Sequence, residues 1–185
     1  MDLREWFADN IGYRFLGCCY NNKFNRGQIA LFDFIESKVP SNFLGKEICD
    51  LGCGDGSNTT RLRKIFKPKS ITGYERNEYL IKRAMEKGIV IRKIDLNQEM
   101  PRGEMATFTF SLHHLKDKEK ALKLATENFK YLFLCEPVKD LYHALFDGGR
   151  TLSKNEWLSL FSKILKRYKL YQHKSSLIVF YNSFG

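Results

Sequence analysis

The 185-residue chain has no apolar run approaching the roughly 18 residues that a membrane-spanning helix requires, so no membrane insertion is expected. Its first residues, Met1-Asp-Leu-Arg-Glu-Trp-Phe7, set charges among the apolar side chains and lack the continuous apolar core of a secretory signal. Metal-ligand spacing is missing from the five cysteines. Cys18 and Cys19 are adjacent, Cys49 and Cys53 lie in or beside one predicted strand, and Cys135 ends another. Buried free thiols in a reducing compartment follow from that pattern, and a cytoplasmic location is expected. No internal repeat, low-complexity tract or second domain is found. Acidic residues are the scarcer charge, 21 against 31 lysines and arginines, giving a net +10. An excess of this size suits RNA or another polyanionic partner, although lysines scattered over solvated helix faces produce the same total. Two clusters stand out: Lys116, Lys118, Lys120 and Lys123, and then Lys163, Lys166, Arg167 and Lys169.

What is present, 43% hydrophobic and 28% charged residues, suits one globular domain over residues 1–185 with a full core. Residues 1–45 read as helical. Leu3, Trp6 and Phe7 share a helical face, and Asn25 followed by Gln28 reads as a capping box for a helix carrying Ile29, Phe32 and Ile35. Pro40 and Gly45 bracket the loop that follows. Strands are predicted at 47–51, 70–75, 89–94, 106–110, 130–135, 168–173 and 176–182. Helices are predicted at 57–66, 77–87, 117–128, 139–146 and 153–166. The segment from Asn97 to Glu104, with Pro101 and Gly103, reads as a loop or at most one helical turn. Alternating strands and helices argue an α/β fold whose parallel sheet is covered on both faces. The last two strands are joined by too few residues for a parallel crossover, so a C-terminal antiparallel hairpin is expected.

The densest chemistry lies in Glu47-Ile-Cys-Asp-Leu-Gly-Cys-Gly-Asp-Gly-Ser57, an apolar strand running into glycines at every second position. Such glycines let the backbone approach a ligand closely, and the helix behind them aims free N–H groups into the turn. A dinucleotide fingerprint needs its third glycine one place later, where Ser57 stands, which disfavours a nicotinamide cofactor. The pattern D-x-G-x-G-x-G instead resembles motif I of the class I S-adenosylmethionine-dependent methyltransferases. Five parallel strands plus a hairpin are similar to that family's doubly wound, seven-stranded, Rossmann-like sheet over roughly residues 43–185. The resemblance implies S-adenosylmethionine as cofactor, a core over 46–185, and a lid built from residues 1–45. Trp6, Tyr13, Phe15 and Tyr20 would cover the cofactor, and Arg14 would meet its carboxylate.

Ligands of open α/β sheets sit at the carboxyl ends of the strands, so those ends supply the remaining candidates. The resemblance assigns the amino-acid end of the cofactor to Asp50, Gly52, Cys53, Gly54 and Gly56. Glu75 ends the second strand 19 residues after Gly56 and would accept from the ribose hydroxyls, with Arg76 beside it. Asp95 and Leu96 would meet the adenine. The exit of the fourth strand, Ser111-Leu-His-His-Leu115, resembles the motif IV variant of small-molecule members such as the ubiquinone and menaquinone enzymes. There the Ser111 backbone would line the reacting methyl group, and His113, less so His114, would orient or deprotonate an acceptor. Glu136-Pro137 and the Ser153-Lys-Asn-Glu-Trp157 helix start match the same group, and Ser153 with Glu156 is also a capping box. Phe146, Gly148, Gly149 and Arg150 would border the acceptor pocket.

Motifs that are missing narrow the reaction. The fourth strand is followed neither by the Asp/Asn-Pro-Pro-Tyr of base-amine enzymes nor by the Pro-Cys of cytosine-carbon enzymes. It also carries no acid, and Glu136 alone after the fifth makes a metal site unexpected. Direct methyl transfer to an oxygen or nitrogen of a small molecule is the first expectation. RNA (tRNA) is the alternative acceptor, and a non-catalytic cofactor-binding partner protein is the third reading.

Overall fold

The computed structural model describes residues 23–139 and 151–184. Its strands are β1 (Glu47–Leu51), β2 (Ser70–Glu75), β3 (Val90–Lys93), β4 (Gly103–Thr109), β5 (Phe129–Pro137), β6 (Tyr168–His173) and β7 (Ser176–Asn182). Its helices are α1 (Lys23–Glu36), α2 (Ser57–Phe66), α3 (Glu78–Glu86), α4 (Lys118–Asn128) and α5 (Lys154–Ile164), with 3-10 turns at Ser41–Phe43 and Leu112–His114. One sheet runs in the order β3-β2-β1-β4-β5-β7-β6. The first five strands are parallel, while β7 is antiparallel to both β5 and β6. The expected seven-stranded, doubly wound sheet with a terminal hairpin is therefore present. No described helix is long and apolar enough to cross a membrane.

Side-chain alternation along the central strands divides the core into two layers. Leu132 and Leu134 of β5, with Leu177 and Val179 of β7, pack against α4 and α5 around Trp157 and Phe161. Phe133, Cys135, Ile178 and Phe180 point to the other face and meet Leu62 and Phe66 of α2 and Phe32 and Ile35 of α1. Because β5 is covered on both faces, its middle, Tyr131–Cys135, reads as an unbroken apolar run.

Several boundaries shift for physical reasons. β4 begins at Gly103 rather than 106, since Gly103 already pairs with Phe129, and β5 continues to Pro137 because β7 supplies partners as far as Ser176. The Asn97–Glu104 stretch holds one turn, closed by the N–H groups of Gln98 and Glu99 on the Asp95 carbonyl. α1 already includes Asn25, which the sequence places at the helix start. The Gln28 side chain accepts from Arg61 across to α2. Ile29, expected in the core, is 54% exposed, because α1 buries the stripe Leu31, Phe32 and Ile35. The Ser153–Glu156 capping box is present at the start of α5. Cys18 and Cys19, the predicted helix at 139–146 from residue 140 onward, the pocket border at 146–150, and the lid candidates Leu3 to Tyr20 lie outside the described residues.

Candidate active site

The glycine turn leaves the carboxyl end of β1 and is tied down on three sides. Gly52 has a φ of +72°, and a Cβ there would come within 2.7 Å of the Ser111 Cβ. Only glycine lets the exits of β1 and β4 touch in this way, and Ser111 Oγ seals the contact by donating to the Leu51 carbonyl at 2.6 Å. Gly54, with a φ of +56°, is the opposite case: a Cβ on it would meet nothing within 4 Å. Its open side is the place where a ligand can approach the backbone. On the outer limb Asp55 accepts from Ser57 N at 3.1 Å and pairs with Lys87 at 2.5 Å. Gly56 lies against Ala84 and Ile89, which docks the start of α2 on α3.

Two residues counted among the cofactor contacts turn their side chains away from the groove. Asp50 is 1% exposed, and its carboxylate accepts from Thr59 Oγ1 at 2.6 Å and Thr107 Oγ1 at 2.7 Å. It braces the turn by joining β1, α2 and β4. The Cys53 side chain packs over Gly73 of β2, and burial pushes its thiol far up.

Glu75 stands where β2 ends, half-buried at the edge of the turn. Its Oε2 accepts from Gly54 N at 3.1 Å, and its Oε1 from Arg76 N at 2.8 Å and Asn77 N at 2.9 Å. A carboxylate has about four acceptor positions, so one remains for a ligand. Beyond it, a depression of about 370 Å³ is lined by Arg76, Ile94 and Asp95. Burial raises the Asp95 carboxyl, but hydrogen bonds from Asn97, with Arg76 and Lys116 nearby, outweigh it and leave the pKa below the ordinary value. Leu96 is half-buried against the core on the α4 side.

The exit of β4 contains the feature that sequence reasoning missed. Phe110 has a φ of +57°, a left-handed conformation that is costly for a bulky residue, and it turns the chain sharply toward β5. Glu136, 0% exposed at the end of β5, then gathers the turn: Oε1 accepts from Ser111 N at 3.1 Å and Leu112 N at 2.9 Å. Oε2 accepts from His113 N at 3.3 Å and lies 2.6 Å from His113 Nδ1. A carboxylate can only accept, so Nδ1 carries the proton. The signal is present in the sequence, since Glu136 ends an apolar strand as Glu75 and Asp95 do; the sequence reading takes it as part of a family motif and as a lone metal ligand, not as the anchor of this turn. With its oxygens filled by N–H donors, it offers no carboxylate to a cation. His113, the expected base, is 1% exposed and serves here as a strut to Glu136, while His114, its ring 4.0 Å away, is exposed.

Residues 24–172 match the model of the family described as a methyltransferase domain. The chain belongs to that family. It is a class I S-adenosylmethionine-dependent methyltransferase, and S-adenosylmethionine is its cofactor. Its fold recurs in magnesium protoporphyrin IX methyltransferase from Synechocystis PCC 6803, solved with bound S-adenosylhomocysteine, at 16% identity over 96% of this chain and 97% of that one (TM-score 0.69). It recurs also in the mitomycin 7-O-methyltransferase MmcR at 17% identity, covering 96% of this chain and 60% of that one (TM-score 0.71). The YcgJ protein from Bacillus subtilis is similar at 17% identity over 76% of this chain and 70% of that one (TM-score 0.59). No curated protein sequence matches the chain.

The buried brace gives this methyltransferase a pH signature. Burial raises the Asp50 carboxyl to about 6, the hydroxyls of Thr59 and Thr107 holding it back and the Glu75 charge adding to the rise. The unfolded value is about 3.9. Between the two, the folded state binds the extra proton, so this group's stabilisation is full below the unfolded pKa and is lost as pH rises through the folded one. The expected loss between pH 5 and 7 is about 1 kcal/mol, and Asp50→Asn should not show it. Urea unfolding of both proteins at the two pH values measures this. A stability difference between them that does not change with pH would rule the brace's titration out.

Proposed function

We propose that this methyltransferase moves a methyl group by direct displacement onto an oxygen or nitrogen of a small-molecule acceptor. The observation that carries the reading is the closed turn Ser111–His114, held against Gly52 on one side and on Glu136 on the other. Such a turn gives the reacting end a small, fixed wall rather than a surface shaped to receive a base from a polymer. The acids Asp55, Glu75 and Asp95 border the same end, an unfavourable setting for a phosphodiester chain.

The cradle fits the cofactor because its one open backbone position, Gly54, lies beside the half-buried acid Glu75. In this reading the Gly52–Gly56 backbone holds the amino-acid end, with Asp50 and Cys53 behind it. Glu75 accepts from the ribose diol by giving up Gly54 N–H, and Arg76, Asp95 and Leu96 border the adenine. The bound cofactor supplies a methyl group already activated on a sulfonium. The protein's part is alignment and exclusion of water. The Ser111 backbone lines the reacting position, His113 and Glu136 fix it, and His114 stands exposed where an acceptor proton can be taken. The chain acts as one domain of 1–185, in which Leu31, Phe32, Ile35 and Phe43 of the expected 1–45 lid pack into the core instead.

A label-transfer assay tests the reading. Protein incubated with methyl-labelled cofactor and a metabolite extract is expected to label a small molecule. Label entering total RNA and no metabolite would replace this acceptor with RNA, the reading that the +10 charge favours.

A further inference from the structure

Six of the chain's 31 lysines and arginines, with the acids Glu47 and Glu104 among them, stand at the pole opposite the reacting groove. Lys69 precedes β2, Lys46 precedes β1, Arg102 precedes β4, Lys130 lies at the start of β5, and Arg167 and Lys169 flank the start of β6. These are the amino ends of the parallel strands. β6 starts at the same pole, because Tyr131 pairs with Asn182 and Tyr181 with Tyr168. Adjacent strands are about 4.8 Å apart, so the six cations span about 24 Å along one edge of the molecule. Among the described residues only Lys46 of the six is in an ion pair, with Glu104 at 3.1 Å.

A slot of about 260 Å³ opens at one end of this row, between the Ser41–Phe43 turn and the β6–β7 pair. Tyr168 and the buried rings of Phe43 and Phe180 back it, and Asn42, Asn182, Arg167 and Lys169 stand around it. Asn42 makes no side-chain hydrogen bond among the described residues, and Asn182 uses only its oxygen, accepting from Phe184 N at 3.1 Å. Both therefore keep amide N–H groups for a ligand. Nearby, Phe184 is 75% exposed, with Lys130 Nζ 5.8 Å from its ring.

We propose that this pole docks single-stranded RNA, one base entering the slot and the neighbouring phosphates following the cation row. Cations interleaved with aromatic faces and spare amides are the combination that holds unstacked bases and their backbone. A lipid surface would need a broad protruding apolar face, whereas here the apolar walls are recessed within the slot. The proposal does not depend on the acceptor. RNA held at this pole is a docking partner and meets the protein at the end of the sheet away from Glu75 and Ser111.

The test is fluorescence anisotropy of labelled oligouridine with the full chain across a salt series. Arg167→Gln/Lys169→Gln should reduce the slope of log affinity against log salt by about 1.4, and Lys130→Gln by about 0.7. Lys120→Gln/Lys123→Gln, an equal charge change on α4, should leave the slope unchanged. Unaltered S-adenosylhomocysteine binding shows that each variant is folded. Equal losses in the α4 variant, or none at the pole, would overturn the proposal. Binding of uridine monophosphate with no gain for the oligomer would reassign the slot to a free nucleotide. Binding to phosphatidylserine vesicles with none to oligouridine would reassign the pole to lipid, and either result would overturn RNA docking.

Discussion

Glu75→Ala is expected to weaken S-adenosylhomocysteine binding by roughly 100-fold, because hydrogen bonds to a charged acceptor contribute about 1.5–3 kcal/mol each and, of the two a ribose diol makes, one replaces the Gly54 N–H. The carboxylate is held for this by the backbone N–H groups of Arg76 and Asn77 while it exchanges Gly54 N–H for the ligand, so little of it has to be ordered first. Alanine also frees those amides, which loosens the turn at Gly54 and the start of α3. Glu75→Gln separates the two effects, since it keeps the shape and one acceptor oxygen while losing the charge. It should fall between wild type and alanine. Calorimetry reads both variants, with the melting temperature as a control on folding. Wild-type affinity in the alanine variant would end the ribose assignment.

Glu136→Gln should cost about 2–4 kcal/mol of stability, since it leaves a buried donor facing other donors. Whichever way the amide is turned, its NH2 meets either Ser111 N and Leu112 N or His113 N and Nδ1. For a chain of this size the melting temperature should drop by roughly 4–16 °C. The same variant should lose methyl transfer more severely than cofactor affinity, because the turn at the reacting position is displaced while the contacts of Glu75 remain. Differential scanning fluorimetry measures the first effect and the label-transfer assay the second. A melting temperature equal to that of the wild type would show that Glu136 does not hold the turn.

Much of this was legible in the sequence because periodicity and turn chemistry agree along most of the chain. The β1 strand, its glycines and α2 are local signals, and each element occupies the predicted range. The hairpin followed from connection length alone. The roles of Asp50 and His113 were not legible, because each depends on a partner distant in sequence: Thr107 on β4 for one and Glu136 on β5 for the other. An acid in a motif looks the same whether it faces a ligand or two hydroxyls. Only the pairing of β1 with β4, and of β4 with β5, decides between them. Ile29 shows the same limit on a helix, where spacing gives a stripe but not which edge of it the sheet covers.

The insertion of β7 between β5 and β6 also governs the order of assembly. β5 can pair with β4 as soon as both are made, yet its other edge waits until the chain has passed through α5 and β6. Until then Leu132, Phe133, Leu134 and Cys135 form an apolar strand with one row of backbone groups unpaired, the kind of edge at which two nascent chains join. Glu136 belongs to that waiting strand. The Ser111–His114 turn thus acquires its final shape late in folding, and a protein halted before β7 would be sticky before that turn was set.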